Sequence, residues 1–132
     1  MKTILIVDDS SGVRKFVVFS LKNHGYRVLE AEDGQDALEK LRDQTVDMVI
    51  TDLNMPHMDG FSLIRTLRQA EEFRTTPILI LTTEEGNREK TMGIEAGANA
   101  YIIKPFKPSE ILAIRSEEPT SELKSRQVTS YA

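Results

Sequence analysis

The 132-residue sequence has no cysteine, no tryptophan and only two histidines. Without cysteine there is no disulfide framework and no thiolate metal site. His24 and His57 each lack a second ligand at the spacing zinc sites use, so both read as surface residues. Long apolar runs are missing too. The first, Ile4 to Val7, stops at two acids and is too short for a signal peptide or a membrane span, which points to a cytoplasmic protein. Nor is there an excess of positive charge: 17 Lys and Arg stand against 21 Asp and Glu, a net charge of -4. That balance argues against a standing role on nucleic acid or membrane insertion, and against adhesion to anionic membranes.

What is present suits one compact domain. At 39% hydrophobic and 29% charged, a chain of this length buries roughly two thirds of its unfolded surface. Short β-branched runs at Ile4 to Val7, Tyr26 to Leu29, Met48 to Thr51, Ile78 to Thr82 and Tyr101 to Ile103 predict five strands. Most are continuously apolar, as in a parallel sheet covered on both faces. Helix-period segments lie between them: Val13, Phe16, Val17 and Leu21; Ala37, Leu38 and Leu41; Phe61, Ile64 and Leu67; and a weaker one over Asn87 to Ala96, lowered in propensity by Thr91 and Gly93. Phe16, Val17, Ile64 and Leu67 are expected in the core. Strand and helix alternate throughout, which predicts an α/β fold with a doubly wound parallel sheet whose sites form at the carboxyl ends of the strands.

Those ends carry chemistry. The first strand runs into Asp8 and Asp9, the third into Asp52, the fourth into Thr82 and Thr83, and the fifth into Lys104 and Pro105. Taken singly, an acid pair after a strand caps a helix or faces water more often than it acts. Taken together, three carboxylates at one edge repel one another and require a positive partner. Oxygen ligands without His or Cys suit a hard cation, and Mg²⁺ takes one or two carboxylates, waters and a phosphate oxygen. Asp52 is then the natural nucleophile, able to form an acyl phosphate. Lys104 would pair with the phosphoryl oxygens and Thr82 would donate one further hydrogen bond.

The segments ILIVDDS at 4 to 10, DLNMPHMDG at 52 to 60, LTTE at 81 to 84 and KPF at 104 to 106 closely resemble bacterial two-component response-regulator receiver domains. The resemblance covers residues 1 to 114. It implies a flavodoxin-like sheet of strand order 2-1-3-4-5 and a phosphorylation-dependent signalling switch that is not an enzyme in the ordinary sense. The phosphoryl group would pass to Asp52 from a phosphohistidine on a sensor histidine kinase, with self-catalysed transfer and autodephosphorylation. Asp8, Asp9, Asp52 and the Asn54 backbone carbonyl would serve Mg²⁺, and Thr82 and Lys104 would hold the phosphoryl group. The resemblance also implies a cis peptide before Pro105. Asn54 and Glu84 look like the pair that tunes phosphate lifetime and phosphatase action in chemotaxis regulators of the CheY type, which favours a motility-like role. The output partner would be a flagellar motor or another regulator.

In the family, a switch Thr moves toward the phosphoryl group and an aromatic residue turns inward behind it; Thr82 and Tyr101 resemble that pair. Two or three charge-assisted hydrogen bonds, about 1.5–3 kcal/mol each, reach the roughly 5.5 kcal/mol that inverts a 1:99 population.

One departure stands out. A fifth helix begins at Pro108-Ser109-Glu110 with Ile111, Leu112 and Ile114, but Pro119 interrupts it, which makes that helix shortened or atypical. Residues 115 to 132 are polar and read as a non-native or disordered tail. The main alternative is a receiver fragment of a multidomain transcription regulator. A phosphate-independent binding module fits the complete acidic set poorly. A haloacid dehalogenase-type aspartyl-phosphate phosphatase fits badly, because Asn54 stands where such enzymes place a second, proton-transferring Asp.

Overall fold

The computed structural model describes residues 2–82, 87–103 and 109–110, with the side chains of Thr82 and Asn87 outside the described set. Five strands, β1 (Thr3–Val7), β2 (Arg27–Ala31), β3 (Met48–Thr51), β4 (Ile78–Thr82) and β5 (Ala100–Ile103), alternate with α1 (Ser11–Lys22), α2 (Gly34–Leu41), α3 (Gly60–Gln69) and α4 (Asn87–Ala96). Every pairing is parallel and the order is β2-β1-β3-β4-β5. This is the flavodoxin-like arrangement that the sequence leads one to expect. Ser109 and Glu110, at the start of the expected fifth helix, are helical; the rest of that helix and the tail lie outside the described residues.

The alternation of strand side chains divides the core in two. Leu5, Val7, Val49, Ile78, Ile80, Tyr101 and Ile103 face the side lined by Ala37 and Leu41 of α2 and by Leu63, Ile64 and Leu67 of α3. Ile4, Ile6, Met48, Ile50, Leu79, Leu81, Ala100 and Ile102 face the other side, where Val17 and Leu21 of α1 cover them. Burial on both faces is why these strands read as unbroken apolar runs.

Two expectations are corrected. The second strand lies later than Tyr26 to Leu29, because the ladder with β1 runs from Thr3 opposite Arg27 to Val7 opposite Ala31. It is an edge strand with Arg27 and Glu30 exposed, so hydrophobicity alone marks its bounds poorly. Phe16, expected in the core, is 49% exposed. The buried side of α1 is formed by Val17, Ser20 and Leu21, and one residue along a helix is about 100° of rotation. Ser20 fits on that side because its hydroxyl donates to the Phe16 carbonyl at 3.0 Å.

Three helices begin at the carboxyl edge of the sheet on side-chain caps. Ser10 Oγ accepts from the Val13 amide, Asp33 Oδ1 from the Asp36 amide and Asp59 Oδ1 from the Ser62 amide. The positive ends of α1, α2 and α3 therefore border the edge where the acids stand.

At the opposite edge Arg68 ties the fold together. Its guanidinium donates to the carbonyls of Gly97 at 2.9 Å, Phe73 at 2.8 Å, Arg74 at 3.1 Å and Thr76 at 2.7 Å, and to Asn99 Oδ1 at 2.8 Å. Asn99 Oδ1 also accepts the Ile78 amide at the start of β4. These acceptors are neutral oxygens, several at helix carboxyl ends where a cation is favoured, while burial pushes the guanidinium below its ordinary pKa. Arg68→Ala orphans several acceptors at once and is expected to destabilise the fold by about 2–4 kcal/mol, read from the urea midpoint. Arg68→Lys should recover only part of the loss, since one ammonium cannot span the same fork.

Candidate functional site

Val7 and Thr51 are paired at the ends of β1 and β3, so the residues that follow them, Asp8 and Asp52, leave the sheet side by side. One further hydrogen bond extends each ladder: the Asp52 amide donates to Val7 O at 2.9 Å and the Asp8 amide to Ala31 O at 3.1 Å. Asp9 joins them, and carboxylate oxygens of Asp8, Asp9 and Asp52 all lie within 4.8 Å of one another. Asp8 is buried at 1% exposure, Asp52 is half-buried and Asp9 is exposed, giving a cluster that opens outward.

Local bonds fix these side chains. Asp8 Oδ1 accepts the Ser10 amide at 2.9 Å, and Arg14 Nη1 donates to the Asp8 carbonyl at 2.6 Å. Asp52 Oδ1 accepts the Leu53 amide at 2.8 Å, while the hydroxyl of fully buried Thr51 donates to the Asp52 carbonyl at 2.9 Å. Three carboxylates this close repel unless a cation lies among them. Their hard oxygens, graded from buried to open, fit Mg²⁺, which binds through few carboxylates and keeps waters.

Of the other expected site residues, Asn54 is exposed two residues beyond Asp52. Thr82 ends β4 opposite Ile103, the last residue of β5. Its side chain, and Glu84, Lys104 and Pro105 altogether, lie outside the described residues. Tyr101 is 2% exposed and therefore buried, not standing half in water. It pairs with Ile80, and Gly93 of α4 packs against both: a Cβ at Gly93 would fall onto Ile80 Cδ1 and come within 3.8 Å of the Tyr101 ring. The helix-weakening glycine thus lets α4 approach the strands closely.

Sequence reasoning missed Asp33 and the partner of His57. Asp33 is 5% exposed, and its Oδ2 lies 2.9 Å from His57 Nδ1. The signal available was Asp33-Gly34 ahead of an apolar-periodic segment, a helix-start pattern. The Asp36 amide above all, and then the His57 hydrogen bond, hold the Asp33 carboxyl below its ordinary 3.8. A carboxyl depressed in this way stabilises the fold above its unfolded pKa and loses that contribution as pH falls through the lower folded value. The stability gap between the parent and Asp33→Asn should therefore be full at about pH 6 and shrink as pH falls through 3.8 and below, as compared by urea midpoints. Beside Asn54, a groove of about 220 Å³ runs between Leu53, Asn54 and Phe61 on one side and Arg88, Glu89 and Met92 of α4 on the other.

A parallel sheet of this order with an acid cluster at its carboxyl edge defines a class, and comparison with known proteins agrees. The response regulator receiver domain family matches residues 4–115, and the chain belongs to that family. It is a phosphorylation-dependent signalling switch. Among its relatives, the chemotaxis protein CheY1 of Helicobacter pylori is 45% identical over 108 residues, covering 80% of this chain and 86% of the relative. Among solved structures, the chemotaxis response regulator CheY4 of Vibrio cholerae superposes with a TM-score of 0.81 at 40% identity, covering 86% of this chain and 94% of that one. The receiver domain of a sensor histidine kinase from Pseudomonas aeruginosa, described with a magnesium ion coordinated in its active-site cleft, has a TM-score of 0.81 at 32% identity over 87% of this chain and 94% of its own.

Proposed function

We propose that Asp52 is the phosphoacceptor of a CheY-type receiver serving chemotaxis or a similar motility pathway, and that it takes its phosphoryl group from a sensor histidine kinase. The observation that carries this reading is the convergence of Asp8, Asp9 and Asp52 within 4.8 Å at the carboxyl edge of the sheet. The chemotaxis assignment is supported by similarity to the two CheY proteins.

Asp8, Asp9 and Asp52, with the Asn54 carbonyl, would hold Mg²⁺, which when bound supplies neutralisation of the charge on the transferring group. An Asp52 carboxylate oxygen attacks phosphorus; the bond from phosphorus to the donor breaks, and the donor leaves with its electron pair. The bond from the Leu53 amide to Oδ1 orients the carboxylate for that attack. Lys104 and Thr82 would hold the phosphoryl oxygens. Asn54 and Glu84 would set how long the acyl phosphate survives water or a phosphatase. Tyr101, buried against Ile80 and Gly93, would couple that event to α4 and β5, the face offered to the output partner. On the helix after Asp9, Phe16 and Phe19 are 49% and 67% exposed.

Residues 1–114 would form the receiver unit and 115–132 a tail outside it. Its working place would be the cytoplasm, where ATP-driven phosphohistidine chemistry occurs; no described helix is long and apolar enough to cross a membrane. The test is incubation with acetyl phosphate and Mg²⁺ followed by intact-mass measurement. One labile phosphoryl mass that disappears with a chelator is expected, and no gain would reject the reading.

A further inference from the structure

The loop from Asp52 to Gly60 contains an unusual turn. His57 has φ of +67° and is the only non-glycine residue with positive φ among those described. The Met58 amide donates to Pro56 O across it at 2.7 Å, which makes residues 56 to 58 a γ-turn of the rare, strained hand. A side chain held in such a conformation persists only where its surroundings over-determine it.

Here they do, through the loop between β2 and α2. His57 Nδ1 meets Asp33 Oδ2 at 2.9 Å, and Asp33 is itself immobilised by capping α2 through its other oxygen. The next residues add two contacts: the Gly34 amide donates to Met58 O at 3.2 Å, and Met58 fills the space where a Cβ on Gly34 would stand. The base of the same loop is closed by the Gly60 amide on Leu53 O at 2.8 Å. The segment carrying Leu53 and Asn54 is therefore fastened at its base and at its apex.

We propose that Asp33 and His57 are a positioning pair for the phosphoacceptor loop. Asp33 holds His57 in the strained turn, and the turn keeps the backbone at 53 and 54 in the shape that the cation and the phosphoryl group require. The pair touches neither group; it acts through the loop. This rests on the reading of Asn54 O as a metal ligand. The imidazole also imposes a specific demand, since a donor at the Nδ1 position must reach a buried carboxylate while the backbone adopts positive φ. Asparagine meets both conditions, because its side-chain nitrogen occupies the place of Nδ1 and it tolerates this backbone region.

The experiment compares the full chain with His57→Ala, His57→Asn and His57→Gly. It measures Mg²⁺ affinity by titration with the metal alone, and hydrogen exchange at the Met58 and Gly60 amides. His57→Ala is expected to weaken Mg²⁺ binding about tenfold and to speed exchange at both amides by a similar factor, with far-ultraviolet circular dichroism unchanged. His57→Asn should restore both, and His57→Gly, which relieves strain without supplying a donor, should behave like the alanine variant. Parent-like values in His57→Ala, or an asparagine variant as impaired as alanine, would overturn the proposal. A parent that bound no Mg²⁺ would instead reject the metal-site reading, and the exchange rates would still decide whether the tether holds the loop.

Discussion

Asp52→Asn is expected to gain no phosphoryl mass from acetyl phosphate and Mg²⁺ under conditions in which the parent gains one. The substitution keeps the shape of the side chain, and the Leu53 amide, which now donates to Oδ1 at 2.8 Å, still finds an oxygen there. What is lost is the ionised nucleophile, because an amide oxygen does not form a stable acyl phosphate. One of the three charges within 4.8 Å is lost as well, so Mg²⁺ affinity should also fall. Separate Mg²⁺ titration distinguishes the two effects: at saturating metal the variant should remain unlabelled. A labelled variant would move the acceptor to another side chain. Folding should change little, since Asp52 is only half-buried and relief of like-charge repulsion opposes any loss of hydrogen bonding.

Gly60→Ala should damage both the fold and the site. Gly60 is buried at the first turn of α3, and a Cβ there would fall onto the Asp52 carbonyl oxygen and within 2.9 Å of Leu53 Cα. Both are backbone atoms of the segment that carries Asp52, so no flexible side chain can yield. The helix start would have to move away, straining the Gly60 amide bond to Leu53 O. Overpacking of this kind costs about 1–3 kcal/mol, and the added loss of a buried backbone hydrogen bond brings the expected destabilisation to about 3 kcal/mol. Phosphoryl labelling, measured at a temperature where the variant remains folded, should slow by about tenfold or more, because an ångström of misplacement is enough for that. A variant with parental melting temperature and labelling rate would mean that the loop absorbs the methyl group without disturbing Asp52.

Much of the fold was legible because burial on both faces of a parallel sheet imprints itself on consecutive residues. Ile4 to Val7, Met48 to Thr51 and Ile78 to Thr82 announce themselves as strands without reference to neighbours. Asn87–Ala96 was legible as a helix despite Gly93 and Thr91. The second strand was less so: at the sheet edge only Ala31 is fully buried, and its bounds are set by register with β1. Phe16 misled because hydrophobicity says how strongly a side chain avoids water, not how much of it the fold buries, and it stays 49% exposed.

The sequence by itself determined the order of strands and helices and the acids, hydroxyl and ammonium that follow the strands, since these depend on periodicity and on residue type at local boundaries. The tertiary structure alone decided that Asp8, Asp9 and Asp52 converge, that Tyr101 is buried against Gly93, that Arg68 gathers five oxygens from the two connections before β4 and before β5, and that His57 reaches Asp33. Each of these contacts joins residues brought together by the path of the chain. Their energies depend on distance and desolvation, which the order of residues along the chain does not specify.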